Sequence, residues 1–270
     1  MIPHHSKIAV SNLAWPASRA DAALSHARSL GFSGIEIAPS KTFDGWPDDI
    51  LIKAAIYRAQ LADLGFAIPA MQAITFGIDG ISLFGSGSER ISLVAHLRMV
   101  ARLAGALGAG ACVFGAPKLR DPGSQSYEAA FSSAVALFGT VAPYFSSEGS
   151  TLAFEANPTA YGCNFITTTS QAIDLVEAVG HPGFRLQIDI GTIILNRERP
   201  AIIAKASPLA SHLHVSEPML QPLGKSDHSQ IAREIQVSGY AHWRSVEMQE
   251  TKDWREAMTS AAKLLTEQYL

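Results

Sequence analysis

The sequence predicts a single-domain α/β protein, a (β/α)8 or TIM barrel spanning residues 1–270. Three observations carry that reading. Short β-like runs alternate with longer helical patterns along the whole chain, in eight successive units. Breakers stand at the helix-to-strand joints: Gly31, Gly65, the Gly108-Ala109-Gly110 run, Gly149, the stretch from Gly180 to Gly183, and Gly239. A length of 270 residues with 47% hydrophobic content suits one large core. Strand–helix alternation implies parallel strands with right-handed crossovers, and eight units imply closure. The competing architecture, a doubly wound open sheet, favours a Gly-rich turn after the first strand, and NLAWPAS has none.

The units follow in order. KIAVSNLA (7–14) precedes a helix over 18–30, and GIEIAPS (34–40) precedes one over 47–64. FAIPAMQAI (66–74) leads to a long helix over 88–107, and GACVFGAP (110–117) to another over 126–148. TLAFEANP (151–158) is followed by a helix over 169–179, and FRLQIDIG (184–191) by a short one over 200–206. SHLHVSEP (211–218) leads to a helix over 227–237, which Asp227 is expected to cap. HWRSVEMQ (242–249) leads to the last helix, over 253–268. The loop ISLFGSGSER (81–90) reads either as a mobile lid or as a capped loop.

Composition narrows the function classes. A net charge of −3 without clustered Lys and Arg argues against nucleic-acid binding. Two cysteines, Cys112 and Cys163, make neither a disulfide framework nor a thiolate metal site. MIPHHSKIAV lacks the pattern of a signal peptide, and no apolar run reads as long enough to span a membrane. The expectation from composition is a cytoplasmic protein.

Strand parity points to the chemistry. Side chains alternate between the helix layer and the barrel axis. In HLHVSEP, Leu213 and Val215 face the helices while His212, His214 and Ser216 face inward. Glu155 in TLAFE, Gln187 and Asp189 in LQID, and Ser245 and Glu247 in SVE share that inward face. Four consecutive strands therefore each bring an ionisable group to the C-terminal mouth, where barrel active sites sit. Three carboxylates converging there repel one another, and burial without a partner costs several kcal/mol, on the order of 3–5. A divalent cation resolves this, and oxygen plus imidazole donors without thiolate suit Mn²⁺, Mg²⁺, Co²⁺ or Zn²⁺. Glu155, Asp189, His214 and Glu247 are the candidate ligands. His212 lies one pleat deeper and is expected to support a ligand from behind or to pack.

FEANP, QIDIGT, HLHVSEP and SVEM, in this order, resemble the xylose-isomerase-like barrel superfamily of sugar (phosphate) isomerases and epimerases. AVSNLAW and GFSGIEIAPS resemble its opening strands. The resemblance implies one divalent metal on Glu155, Asp189, His214 and Glu247, with Glu155 and Glu247 also acting as the acid/base pair. The implied reaction is isomerisation or epimerisation of a sugar or sugar derivative, by proton abstraction next to a carbonyl and an enediolate intermediate. The resemblance, and not composition, also implies a small-molecule carbohydrate partner and a chain able to form a homo-oligomer. A lyase on the same scaffold, such as a sugar or inosose dehydratase or a C-glycoside-cleaving subunit, is the alternative. An abasic-site endonuclease relative would need extra histidines for a multi-metal cluster and a basic DNA face, neither of which this sequence shows, and a non-catalytic subunit would bind metal without turnover. Ketose epimerases often carry a His three residues after the metal Asp, a Glu six after the first metal Glu, and an Arg after strand seven. Here these are Thr192, Tyr161 and the stretch EPMLQPLGK. Such positions usually contact substrate, so the resemblance implies a kept metal centre and a rebuilt substrate pocket.

Further polar residues at the mouth are candidate substrate contacts. Asn157 and Glu217 follow ligand-bearing strand ends and suit substrate hydroxyls or loop hydrogen bonds. Gln187 suits orientation of a ligand or of substrate, Asn12 and Gln72 polar contacts, and Trp15 either a stacking wall or simple packing. In APKLRDP, Lys118 or Arg120 could hold a phosphate or carboxylate, against the plainer reading of a solvated loop charge. Trp46, Phe76 and Phe84 are candidates for an apolar rim.

Overall fold

The computed structural model describes Ile2 and residues 6–270. Its strands are β1 (Ile8–Ser11), β2 (Gly34–Glu36), β3 (Ala70–Met71), β4 (Ala111–Phe114), β5 (Leu152–Glu155), β6 (Phe184–Asp189), β7 (Ala210–Ser216) and β8 (Arg244–Glu247). The helices are α1 (Ala20–Leu30), α2 (Pro39–Thr42), α3 (Ile50–Asp63), α4 (Gly87–Leu107), α5 (Tyr127–Ser147), α6 (Thr169–Val179), α7 (Ile190–Leu195), α8 (Ile202–Ala206), α9 (Ser229–Val237) and α10 (Trp254–Leu264). The strands form one parallel sheet in the order β2-β1-β8-β7-β6-β5-β4-β3. The bridges Gly34–Ala67 and Ile37–Met71, both parallel, bring β2 to β3 and close the ring. The chain is thus the single (β/α)8 barrel that the alternation predicts.

Parity holds on both faces. Outward residues such as Val10, Met71, Phe114 and Phe154 join the large core beneath the helices. There Phe138 of α5 packs edge-on against Phe114 and Phe154 and stacks on Phe184, with centroids 5.4, 5.4 and 4.8 Å away. Inside the barrel, Ala70, Ala111 and Ala153 form a separate cluster of small side chains. Local signals end the helices where the breakers stand. Ser86 and Glu89 form a capping box at the start of α4, the feature that the capped-loop reading of ISLFGSGSER expects. Gly31 closes α1 at φ 94°, a conformation that a side chain would strain.

The departures lie at strand ends. The third strand is only Ala70–Met71, because Pro69 has no N–H to give the ladder. The second stops at Glu36, and Pro39 starts α2. The sixth stops at Asp189, whose carboxylate caps α7 by accepting from the Thr192 N–H, so IGTIIL is helix. Asp227 accepts from the Ser229 N–H at 2.9 Å, and α9 begins two residues after it. Helix α5 also overturns one sequence reading: with 21 residues and mean hydropathy 1.3, it is long and apolar enough to cross a membrane. Here it lies in the helix layer with Ala134, Phe138, Val141 and Phe145 fully buried.

Candidate metal centre

The closure of β5 to β8 assembles a cluster from the inward ends of four neighbouring strands. Register sets Asp189 beside His214 and Ser216 beside Glu247, while Glu155 pairs with Gln187. One donor atom from each of Glu155, Asp189, His214 and Glu247 lies within 4.8 Å of all the others. His214 Nδ1 is 3.0 Å from Glu247 Oε2, 3.4 Å from Glu155 Oε1 and 4.0 Å from Asp189 Oδ2.

Glu155, Asp189 and His214 are each held from behind, while Glu247 meets His214 itself. The Asn157 amide donates to Glu155 Oε2 at 2.8 Å, which leaves Glu155 Oε1 buried and without a hydrogen-bond partner. Gly115 makes room for that carboxylate, since a Cβ there would stand 2.7 Å from Oε2. Asp189 accepts from the Thr192 N–H at 2.5 Å and the Ser216 hydroxyl at 2.6 Å. His214 Nε2 lies 2.9 Å from Glu36 Oε1, and His212 Nε2 lies 3.3 Å from Glu36 Oε2 and 2.9 Å from Ser245 Oγ. Glu36 was missed in the sequence, although Ile35 and Ile37 facing outward already put it on the axis.

Electrostatics follow from this packing. Burial acts to raise the Glu36 carboxyl, but His214 and His212 outweigh it and hold it well below the usual range. Burial acts to lower the His214 imidazole, but Glu247 and Glu36 outweigh it and hold it well above its ordinary value. An ionised Glu36 keeps a proton on Nε2, so Nδ1 is the nitrogen left to a ligand. Burial, then the nearby Glu155 charge, lifts Asp189 to about 6. Burial lifts Glu247 to about 7, against the pull of His214. Burial lowers the pKa of His212, with Glu36 opposing.

A cavity of about 380 Å³ opens over this cluster, lined by Glu155, Asp189 and Glu247 with Gln72, Asn157, Tyr161 and Gln249, and by apolar residues from the surrounding loops.

The family model for the xylose isomerase-like TIM barrel matches residues 24–267. The chain belongs to this family. Among curated proteins none matches the sequence. Among solved structures, D-psicose 3-epimerase from Clostridium cellulolyticum H10, with D-tagatose, superposes at TM-score 0.80 with 14% identity, covering 97% of this chain and 98% of that one. D-allulose 3-epimerase from Methylomonas sp. gives 0.80 and 17%, covering 99% and 98%. The 3-keto-D-glucoside 4-epimerase from E. coli gives 0.75 and 12%, covering 97% and 99%.

Within this xylose isomerase-like barrel, the expected substrate contacts divide. Gln72 and Asn157 line the cavity, and Gln72 also donates to Ser11 Oγ at 2.6 Å. Gln187 lies behind the cluster, 2% exposed; with its amide oxygen turned to His214 it accepts from that backbone N–H at 3.1 Å. Four substrate-contact readings fail, and for Trp15, Glu217 and Lys118 the plainer alternative of packing, loop hydrogen bonding or a solvated charge holds instead. Asn12 is spent inside the fold, bonding Thr42 Oγ1 and the Ala38 N–H, both at 2.9 Å. Trp15 is packed in the core at 3% exposure. Glu217 turns away to the loop after β7, accepting from the amides of Gly224, Lys225 and Ser226. Lys118 is exposed and outside the cavity lining. Its neighbour Arg120 is no solvated charge: it is fully buried, with Nη1 donating to the Glu155 carbonyl at 2.8 Å and Nε to Cys163 Sγ at 3.2 Å. Trp46 and Phe84 pack on His96 and Phe165, and with Phe76 they stand outside the cavity lining. Tyr161, which stands at one family substrate position, does line the cavity, and its hydroxyl accepts from the Met219 N–H at 2.9 Å. Thr192, at another, instead donates to the Ala156 carbonyl at 3.2 Å.

Proposed function

We propose that this chain is a divalent-metal-dependent epimerase or isomerase of a sugar or sugar derivative, working by proton abstraction next to a carbonyl. One observation carries the reading: the four converging donors under an open cavity, with Glu155 Oε1 buried and unpartnered among them. Three oxygen donors and one imidazole nitrogen, with Glu155, Asp189 and His214 each held by a hydrogen bond or ion pair from outside the set, fit a hard or borderline divalent cation. Glu155, Asp189, His214 and Glu247 would hold it. When bound, such a cation supplies Lewis-acid polarisation of the substrate carbonyl and makes the neighbouring C–H acidic.

The remaining work falls to the chain. Glu155 on β5 and Glu247 on β8 are separated in the sheet by β6 and β7, so they reach a carbon above the cluster from two sides. One carboxylate removes the proton and the other returns one, to the opposite face of the same carbon in epimerisation or to its neighbour in isomerisation. A positioned base of this kind contributes about 10²–10⁴-fold. Asn157 fixes the Glu155 carboxylate, and Gln72 and Gln249 offer amides to substrate hydroxyls at the cavity wall.

Elemental analysis of the wild type and of a Glu155→Gln, Asp189→Asn double variant tests the centre. About one divalent metal per chain in the first and little in the second is the expected result. Wild type that takes up no Mn²⁺, Co²⁺, Mg²⁺ or Zn²⁺ on addition would sink the reading. Proton exchange of sugars in D₂O then tests the reaction, and product mass separates an isomerase from a dehydratase, whose product has lost water.

A further inference from the structure

The cavity over the acidic cluster is uneven in its chemistry. Among the described residues, no Lys, Arg or His lines it. The two cations of the loop after β4 are elsewhere: Lys118 is exposed, and Arg120 is buried against Cys163 and the Glu155 carbonyl. A phosphate brought here would add about −2 charge at pH 7 beside three carboxylates. Phosphate sites of (β/α)8 barrels are commonly built from backbone N–H groups after strands seven and eight. In this chain such a nest exists after β7, and the protein fills it itself. The amides of Gly224, Lys225 and Ser226 point at Glu217 Oε1 at 2.9, 2.8 and 3.0 Å, and the Ser226 hydroxyl donates to Oε2 at 2.5 Å. An internal carboxylate takes up these donors, and the nest stands outside the cavity lining, so it offers a substrate anion nothing.

Besides the carboxylates and the polar Gln72, Thr75, Asn157, Tyr161 and Gln249, the wall carries the apolar Leu13, Ile74, Val113, Pro117, Met219 and Leu220. Met219 is 55% exposed at this wall. Four lining residues also carry left-handed backbone: Ala73 at φ 52°, Ala116 at 43°, Met219 at 60° and Leu220 at 53°. Glycine would relieve the strain at each of these positions, yet the chain keeps apolar side chains there.

We propose, resting on the functional reading above, that the substrate is an uncharged, unphosphorylated carbonyl compound whose end remote from the reacting carbon is apolar, such as a deoxy, alkyl or aryl-substituted sugar. The carboxylates and amides take the polyol end. The wall from Leu13 to Leu220 takes the apolar end, which it shields from water.

Calorimetric binding to the full chain with added Mn²⁺ tests this with matched ketohexose triplets in several configurations: the parent, its 6-deoxy form and its 6-phosphate. Within a triplet that binds, the 6-deoxy form should bind about threefold tighter or better than the parent, and the 6-phosphate at least about tenfold weaker. Leu220→Ser should reduce the 6-deoxy preference, read as the ratio of 6-deoxy to parent affinity within one triplet. A 6-phosphate that binds as tightly as the parent, or a parent as tight as its 6-deoxy form, overturns the inference and leaves metal-dependent sugar chemistry standing. No binding in any triplet overturns both.

Discussion

Glu36 does for His214 what no residue of the last four strands can do. It is fully buried, carries its charge in the barrel interior, and is bonded to the two imidazoles of β7. Replacing it by Gln keeps the shape and removes the charge that fixes the imidazole proton on Nε2. Metal affinity should fall about 10–100-fold with the far-ultraviolet circular dichroism unchanged; unchanged affinity in a metal titration would refute the role. Gly115→Ala is a second probe of the same kind. Its Cβ would press on Glu155 Oε2, so the carboxylate must turn, and metal binding should weaken while the barrel persists. At this scale the sequence was legible where parity could be read strand by strand. Glu155, Asp189, His214 and Glu247 came from four strands with clean alternation, and the same rule applied to GIEIA would have exposed Glu36. Glu217 was not legible, because its partners lie seven to nine residues further on in a loop whose path no periodicity describes. Asn12 was misread because side chains just past a strand end no longer obey the alternation.

Among the elements, the loop from Glu217 to His228 ties β7 to α9, and its hold depends on pH. Burial acts to raise the Glu217 carboxyl, but the hydrogen bonds of Ser226 and Lys225 outweigh it and set it below its ordinary value. A group depressed in the folded state contributes stability above its unfolded pKa, about 4.3 for Glu, and loses it as pH falls through the lower folded value. Urea unfolding of Glu217→Gln should therefore show a loss of about 1–3 kcal/mol at pH 7 and a shallower fall in stability below about pH 4.3 than the wild type. Equal slopes for the two proteins would contradict this. Ser86→Ala, which opens the capping box of α4, should cost about 0.5–2 kcal/mol in the same experiment. Helices were legible almost to the residue where caps and glycines mark them, as in α6 and α4. Strand ends were not. An apolar stretch such as IGTIIL has no period of its own, and the cap that makes it α7 is supplied by Asp189, read in the sequence only as a ligand.

For the whole molecule, the cluster and the ring depend on each other. Four strands can bring their acids together only in the closed barrel, so a cation that binds there binds the folded state alone. At a concentration about 100-fold above its dissociation constant it adds about 2.7 kcal/mol, which for a chain of this size is about 5–10 °C in melting temperature. Chelation should reverse the rise, and the Glu155→Gln, Asp189→Asn variant should melt at one temperature with or without metal. The closure itself is uneven around the ring. Between β2 and β3 there are two isolated bridges, whereas β5 to β8 pair in continuous registers. That contrast gives the barrel a zipper, set on the side remote from the ligands. Amide hydrogens at Ala67 and Gln72 should exchange with solvent ahead of those at Leu186 and Leu213. A circular permutant cut between β2 and β3 would then keep its metal centre, while one cut between β6 and β7 would divide it.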